Sequence, residues 1–219
     1  MRRSNETELA DSEDISEEDL ARNYRELEKV QRWLGNTGQM LTRLRRARAS
    51  TVGPMRVLDI GCGRGGLLKE IQSKLGMDVI GMELRPAPAG TTVPIMTGNA
   101  VSDPLPRADV AVCMMLAHHL SETELVQMIR NISQYCNRFI LLDLVRHPVP
   151  LLLFRVFVAP LLFYVNAADG KTSIRRAYTV AEMRKIVENA LGRSTRPVKR
   201  VRHSMSPFWT RQVVEIEWD

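Results

Sequence analysis

The sequence contains few aromatic residues and few cysteines. Phe, Trp and Tyr together make up 5% of its 219 residues, and they are not interleaved through the basic segments as the stacking residues of a nucleic-acid platform would be. The three cysteines, Cys62, Cys113 and Cys136, are an odd number without a paired spacing, which indicates neither a disulfide framework nor a metal site. We therefore expect reduced thiols, a cytoplasmic protein and no nucleic-acid partner.

The sequence also lacks a long uninterrupted apolar run. Its most apolar segment, 149–165, is interrupted by Arg155 and Pro160 and is shorter than the roughly 20 residues that a bilayer-spanning helix needs. We expect no membrane span, and a lid helix, a dimer contact and a membrane-surface contact stay open for this segment. At the amino terminus, acidic polar residues follow the basic Met1–Arg3 where an apolar stretch would be needed, so no signal peptide is predicted.

The charges are unevenly distributed along the chain, although the net charge is +6. Residues 1–28 hold four arginines and ten acidic residues, whereas residues 171–211 hold eleven Lys and Arg and two Glu. The basic third could contact an anionic partner such as nucleic acid or a carrier protein, or it could be a solvated face. We favour the solvated face, with a small molecule as the partner of the protein and with a homodimer left open.

Composition and hydrophobic periodicity divide the chain into three parts. Residues 1–16 are acidic with little to bury, which predicts a disordered tail. Residues 17–50 predict two amphipathic helices that form an amino-terminal helical cap. From 51 to 219, strand and helix patterns alternate, which indicates an α/β domain with a mostly parallel sheet and helices on both faces. An apolar helical insertion is expected near 148–165, and an antiparallel strand pair at the end of the chain.

A glycine-rich turn after the first predicted strand carries the clearest chemistry. Residues Val57–Gly66 read VLDIGCGRGG, a D-x-G-x-G-x-G pattern that differs from the G-x-G-x-x-G of dinucleotide folds. Glycines allow a tight turn and a close approach of the backbone to a ligand, and the following helix offers N–H groups to an anion. Asp59 would repel a diphosphate but attract an ammonium group. The motif therefore predicts a zwitterionic adenosyl amino acid, S-adenosylmethionine, and disfavours a nicotinamide dinucleotide.

This motif and the residues after it resemble the class I S-adenosylmethionine-dependent methyltransferase superfamily over about residues 55–191. The resemblance implies a Rossmann-like α/β sheet of seven mostly parallel strands, the last one antiparallel. It implies that Glu83 takes the ribose hydroxyls and that Asn99 stands where the family commonly has Asp at the adenine amino group, since an Asn oxygen can also accept. The implied cofactor residues are Asp59, Gly61, Cys62, Gly63, Gly65, Glu83, Leu84, Asn99, Ala100 and Met115.

Two adjacent histidines are the catalytic candidates. Residues 115–120 resemble the L-x-H-H-L loop of small-molecule methyltransferases, and they follow a strand at the edge where open α/β sheets bind ligands. His118 or His119 could take the proton of an acceptor hydroxyl, although an ionised acceptor would need no base. Residues 169–179 resemble, more loosely, the substrate side of bacterial enzymes that act on quinone-, polyketide- or phenol-like molecules, which implies substrate binding by Arg175, Arg176 and Tyr178.

These observations predict an enzyme of secondary metabolism that methylates an oxygen, less favourably a carbon or nitrogen, of a small lipophilic acceptor. The cofactor would leave as S-adenosylhomocysteine, and no metal is expected. Two alternatives stay open. Methylation of RNA or protein would suit the basic carboxy-terminal third, and a non-catalytic scaffold would bind the cofactor without turnover.

Overall fold

A seven-stranded sheet runs through the protein, for which a computed structural model describes residues 1–11, 16–87 and 90–219. The strands are β1 (Arg56–Ile60), β2 (Asp78–Glu83), β3 (Ile95–Thr97), β4 (Ala108–Met114), β5 (Cys136–Leu144), β6 (Val198–Met205) and β7 (Arg211–Trp218). Their order across the sheet is β3-β2-β1-β4-β5-β7-β6, and every neighbouring pair is parallel except the two that include β7. The predicted mostly parallel sheet with an antiparallel last strand is confirmed.

Helices pack around this sheet, and two of them begin at capping boxes that the sequence predicts. The α-helices are α1 (Glu17–Trp33), α2 (Asn36–Ala49), α3 (Gly66–Leu75), α4 (Glu122–Tyr135), α5 (Pro148–Leu153), α6 (Tyr164–Arg176) and α7 (Val180–Leu191). At the start of α4, the Ser121 hydroxyl accepts from the Glu124 N–H, and the Glu124 carboxylate accepts from the Ser121 N–H. Thr179 and Glu182 make the same exchange before α7. Local hydrogen bonds thus fix where these helices start.

Apolar side chains cover the sheet on both faces, because successive strand residues point to opposite sides. Leu58 belongs to the buried cluster that includes Leu125 of α4 and Met183 of α7. Its neighbour Val57 belongs to the cluster on the other face, formed with α2 and α3. Met40 of α2 is fully buried in this second cluster. The second helix of the predicted cap is therefore one of the layers over the sheet, and α1 packs against it and against α6.

The apolar segment 148–165 is helical but consists of short pieces. α5 is followed by one π-helical turn, Phe154–Val158, and by one 3-10 turn, Ala159–Leu161. The Phe154 ring packs onto α6 at Gly170, where a Cβ would lie 2.2 Å from the ring atom Cζ. This contact anchors the segment to α6. In the part of the chain that the structure describes, no helix is long and apolar enough to span a membrane.

The first eleven residues lie against α6 and against the loop that follows β4. The Arg3 guanidinium donates to the Leu120 carbonyl oxygen at 2.7 Å, and the Leu9 N–H donates to the Asp169 carboxylate at 2.6 Å. These hydrogen bonds give the segment a defined path. The low apolar content of residues 1–16, from which we predict a disordered tail, does not indicate these contacts. Residues 12–15 of that predicted tail lie outside the described residues.

Candidate active site

The carboxyl ends of β1, β2 and β4 meet at one edge of the sheet, which is where open α/β sheets bind ligands. A cavity of about 90 Å³, here named the first cavity, opens at this edge. Its lining includes five of the residues that the sequence predicts for the cofactor: Gly61, Glu83, Leu84, Asn99 and Ala100. The fold thus brings together residues from three separate loops.

The turn between β1 and α3 requires glycine at two positions. Gly61 and Gly65 have φ angles of 70° and 76°, in the left-handed region that favours glycine. A Cβ on Gly61 would lie 2.8 Å from Leu116 Cδ2, and one on Gly65 would lie 2.5 Å from Val93 Cγ2. The turn leads directly into the amino terminus of α3, where the first backbone N–H groups have no partner within the helix and attract negative charge.

Glu83 connects this turn to the end of β2. Its Oε2 accepts from the Gly63 N–H at 2.8 Å, and its Oε1 accepts from the Leu84 N–H at 2.9 Å. The carboxylate is therefore held at the rim of the first cavity, and each oxygen keeps capacity for a second hydrogen bond. Two neighbouring hydroxyl groups, such as those of a ribose, could donate to it in this position.

Asp59 is buried beneath the turn, with 3% of its surface exposed. Burial and, to a lesser extent, the negative charge of Glu83 raise the pKa of Asp59 from 3.8 to about 8. Within residues 1–11, 16–87 and 90–219, no cationic side chain forms an ion pair with this carboxylate. The ammonium group of an amino-acid ligand would supply the missing positive charge.

Asn99 and Cys62, both predicted cofactor residues, have other contacts in the structure. The Asn99 side-chain oxygen accepts from the Val101 N–H at 3.0 Å, so the atom that we assigned to adenine already has a partner within its own loop. The Cys62 side chain packs towards Gly81, where a Cβ would lie 2.5 Å from the sulfur. Burial raises the pKa of this thiol. The Cys62 side chain therefore fills space behind the turn.

A second cavity, of about 170 Å³, lies on the other side of the loop that follows β4. Met115 lines this second cavity, whereas the next residue, Leu116, lines the first cavity. Met115 has a left-handed backbone with φ 59° although it is not glycine. Strained conformations of this kind are concentrated at functional sites. The two residues form the partition between the cavities.

The walls of the second cavity are mostly apolar. Leu27, Val30, Leu34, Leu144, Phe154, Leu162 and Ile174 supply the apolar surface. Polar groups stand among them, and these belong to Glu8, Asn23, Gln31, Asn36, His118, His119, Asn166, Asp169, Ser173 and Arg211. An apolar cavity with a few convergent polar groups is typical of a site for a small lipophilic molecule.

His118 is buried between two carboxylates. Its Nδ1–H donates to Asp143 Oδ1 at 2.7 Å, its backbone N–H donates to Asp143 Oδ2 at 3.1 Å, and its Nε2 lies 3.7 Å from Glu8 Oε1. Burial lowers the pKa of His118, but the charge and hydrogen bond of Asp143, together with the charge of Glu8, outweigh that effect and raise it. The protonated form is therefore favoured, and His118 is better suited to orienting the loop than to accepting a proton.

His119 is more open than His118. Its side chain is 26% exposed, and its Nε2 lies 3.7 Å from Glu8 Oε2. The two imidazole rings have centroids 4.4 Å apart. The possible ligand atoms of Glu8, His118 and His119 lie within 4.8 Å of one another, so small movements would let the three side chains hold a metal ion.

The model of the methyltransferase-domain family matches residues 30–149, which is more than half of the chain and includes β1, β2 and β4. This chain belongs to that family. The class I S-adenosylmethionine-dependent fold and the cofactor predicted from the sequence are confirmed. Among proteins of curated function, none matches the sequence of this methyltransferase.

Solved structures with the same fold include other methyltransferases. The plantazolicin methyltransferase BpumL, in complex with a pentazolic desmethylPZN analog and S-adenosylhomocysteine, has a TM-score of 0.68 at 15% identity, over 95% of this chain and 94% of that one. Magnesium protoporphyrin IX methyltransferase from Synechocystis, with bound S-adenosylhomocysteine, has a TM-score of 0.54 at 16% identity, over 84% and 82%. An inferred O-methyltransferase from Nostoc punctiforme has a TM-score of 0.56 at 14% identity, over 84% of this chain, which spans 56% of that one. At such identities the likeness shows the fold alone.

The three residues that the sequence predicts for substrate binding lie outside the second cavity of this methyltransferase. Tyr178 is 1% exposed; its hydroxyl donates to the Leu120 carbonyl oxygen at 2.7 Å, and burial raises its pKa to about 12. Arg176 donates to the His119 carbonyl oxygen at 3.3 Å, and Arg175 is exposed at the surface. Tyr178 and Arg176 therefore brace the loop that carries the two histidines.

Several polar residues of the second cavity were not among the predicted site residues. These are Glu8, Asn23, Asn36, Asn166, Asp169 and Arg211. Glu8 lies in the predicted tail, Asn36 lies in the predicted helical cap, and Arg211 is one of many basic residues near the end of the chain. Asp169 alone had a signal, because it begins the segment with the looser resemblance to a substrate side.

Proposed function

We propose that this chain transfers the methyl group of S-adenosylmethionine to an oxygen of a small lipophilic acceptor that is phenol-, quinone- or polyketide-like, as a cytoplasmic enzyme of secondary metabolism. The observation that carries the proposal is the pair of cavities on either side of Met115 and Leu116. The first cavity is lined by the Glu83 carboxylate and by Gly61 of the glycine-rich turn, and the second has apolar walls and two histidines. A methyl donor and an acceptor would meet at the partition.

The donor set of the first cavity fits the cofactor. Asp59 would pair with the ammonium group, and Glu83 would accept from the ribose hydroxyls, as their position at the rim and under the turn suggests. Asn99 and Ala100 would border the adenine. When bound, S-adenosylmethionine supplies an electrophilic methyl group and leaves as S-adenosylhomocysteine. The backbone of Gly61, Cys62, Gly63 and Gly65 and the side chains of Leu84 and Met115 complete the proposed cofactor site.

His119 is the proposed general base. Its partly exposed imidazole would take the proton of an acceptor hydroxyl as the oxygen is methylated, a contribution of about 10²- to 10⁴-fold in such reactions. His118, held by Asp143 and Glu8, would position the loop without receiving that proton. If the acceptor is already ionised, the apolar walls would still exclude water and hold the oxygen towards the partition.

Two measurements test this function. Calorimetric titration with S-adenosylmethionine and S-adenosylhomocysteine should show binding of both, and a radiolabelled-methyl screen of phenols and hydroquinones should label one class of acceptor. His119→Ala should keep the affinity for S-adenosylhomocysteine within about threefold and slow transfer by about 10²-fold or more. His203→Ala, on β6 and outside both cavities, is the matched control and should change neither.

Each outcome separates the proposal from its alternatives. If His119→Ala turns over normally, His119 is not the general base, and the proposed methyl transfer still stands. Failure of S-adenosylhomocysteine to bind would overturn the cofactor site. Label that appears in RNA or protein of a lysate, with binding to RNA that weakens steeply with salt, would favour a macromolecular acceptor. Binding of the cofactor without methyl transfer to any fraction of a lysate would favour the non-catalytic scaffold.

A further inference from the structure

Arg211, the first residue of β7, lines the second cavity without an anionic partner. Its Nε is buried and has no hydrogen-bond partner among the residues that the structure describes. No Asp or Glu forms an ion pair with it in the described ranges 1–11, 16–87 and 90–219. Partial burial lowers the pKa of its guanidinium, as expected for a charge that is partly removed from water without compensation. A half-buried charge without a counter-ion is unfavourable, and a ligand anion would compensate it.

The position of Arg211 is on the acceptor side of the partition. Its Cα pairs with Leu144 at the carboxyl end of β5, and the strand order places β4 and β5 between β1 and β7. Three strand spacings separate Arg211 from the turn after β1, which is about 14 Å. An anion bound at Arg211 would therefore belong to the molecule in the second cavity, and the amino-acid end of the cofactor would lie near Asp59 instead.

Two further buried polar atoms, on residues that line the second cavity, lack partners. Within the described part of the chain, the side-chain oxygens of Asn23 and Asn36 have no hydrogen-bond partner, and these residues are 1% and 2% exposed. Their amide groups are oriented by other contacts, because Asn23 donates to Asn166 Oδ1 at 3.0 Å and Asn36 donates to Gln31 Oε1. Buried polar groups are rarely left unsatisfied in native proteins. Residues that line the second cavity thus carry one cationic donor and two acceptors that lack partners in the described part of the chain.

We propose that the acceptor is a lipophilic hydroxy acid whose carboxylate pairs with Arg211; this rests on the proposed function, which makes the second cavity the acceptor site. Arginine forms strong, bidentate hydrogen bonds with carboxylates. The asparagine oxygens would accept from a hydroxyl of the same molecule, and side chains such as Leu27 and Leu144 would contact its apolar body. A neutral phenol or quinone would leave the half-buried guanidinium without a counter-ion.

Binding of 4-hydroxycinnamate and of its methyl ester to the protein loaded with S-adenosylhomocysteine tests this inference. The wild type should bind the carboxylate about 10- to 100-fold more tightly than the ester in calorimetric titrations. Arg211→Met should abolish that preference, and Arg211→Lys should retain part of it. Arg202→Met, which removes an exposed arginine of β6 outside the second cavity, is the control and should retain it fully. Arg211→Met should also raise the Tm of the free protein, whereas loss of a structural arginine would lower it.

Other results would overturn the inference. If the wild type binds the carboxylate no better than the ester, or binds neither, the cavity does not select an acid. If Arg211→Met weakens binding of S-adenosylhomocysteine as much as binding of 4-hydroxycinnamate, the arginine pairs with the carboxylate of the cofactor. Binding of S-adenosylhomocysteine to the wild type is measured first, because its absence would refute the proposed function itself, whereas its presence without selectivity refutes only the role of Arg211.

Discussion

Replacing Asp59 by asparagine should stabilise the free protein and remove cofactor binding. At pH 7 the carboxyl group of the unfolded chain has lost its proton, whereas burial and the charge of Glu83 raise the pKa in the folded protein from 3.8 to about 8. Folding therefore takes up a proton, which lowers the free energy of unfolding by about 4 kcal/mol at pH 7. The neutral amide of asparagine avoids this effect but keeps a desolvation cost of about 1–3 kcal/mol.

The variant should therefore gain about 2 kcal/mol at pH 7, or roughly 5 °C in Tm for a protein of this size. The pH dependence follows from the direction of the shift. An acid with a raised pKa contributes most stability below its unfolded pKa, and that contribution is lost as the pH rises towards the folded value. The advantage of Asp59→Asn should thus widen by about 2–3 kcal/mol between pH 5.5 and pH 7.5.

Calorimetric unfolding at these two pH values measures the difference, and titration with S-adenosylhomocysteine measures binding. Binding should weaken by about 100-fold or more, because the ammonium group loses its charged partner. Asp78→Asn, at the exposed start of β2, is the matched control and should shift Tm by less than about 2 °C at either pH. A gain that is equal at both pH values, or unchanged binding, would refute the reasoning about Asp59.

Four other predictions concern the same two cavities. Glu83→Gln should raise the Kd for S-adenosylhomocysteine about tenfold in titrations, because an amide accepts hydrogen bonds at one atom where the carboxylate offers two; an unchanged Kd would remove the ribose role. Gly65→Ala should lower the free energy of unfolding by about 2 kcal/mol in thermal melts, through its left-handed backbone and the contact with Val93. Asp143→Asn should lower the free energy of unfolding by about 3 kcal/mol at pH 6 and by less at pH 9. The reason is that the stability contributed by the raised pKa of His118 is complete below pH 6.5 and is lost as the pH rises through the pKa of the folded protein. Dialysis against EDTA should leave methyl transfer unchanged, and a loss that one divalent ion restores would contradict the expected absence of a metal.

The features that could be predicted from the sequence have local signals. The glycine-rich turn, the strand that precedes it and the capping boxes at Ser121 and Thr179 each depend on residues within one short segment. The antiparallel pair at the end of the chain could be predicted from its alternating pattern. The family resemblance then supplied the number of strands, whereas the order of the strands was not predicted.

Apart from Met115, His118 and His119, the lining of the second cavity could not be predicted, because it depends on contacts between distant parts of the chain. Glu8 accepts from the Ser173 hydroxyl at 2.7 Å across 165 positions. Tyr178 is buried partly by the guanidinium of Arg3, which lies 4.1 Å from the centre of its ring. Arg211 becomes distinctive only when the strand order places it beside Leu144. Charge counts along the sequence treat it as one more basic residue of a solvated face.

Glu8 and Ala10 form part of the wall of the second cavity, on a segment that is joined to the rest of the protein by hydrogen bonds and crosses no strand of the sheet. Exchange of residues 4–11 would therefore change the shape of the second cavity, whereas the cofactor loops and the buried layers would stay as they are. Laboratory evolution of the range of acceptors can therefore begin with a short randomised library of this segment, which keeps Arg3 as the anchor and varies the shape of the second cavity.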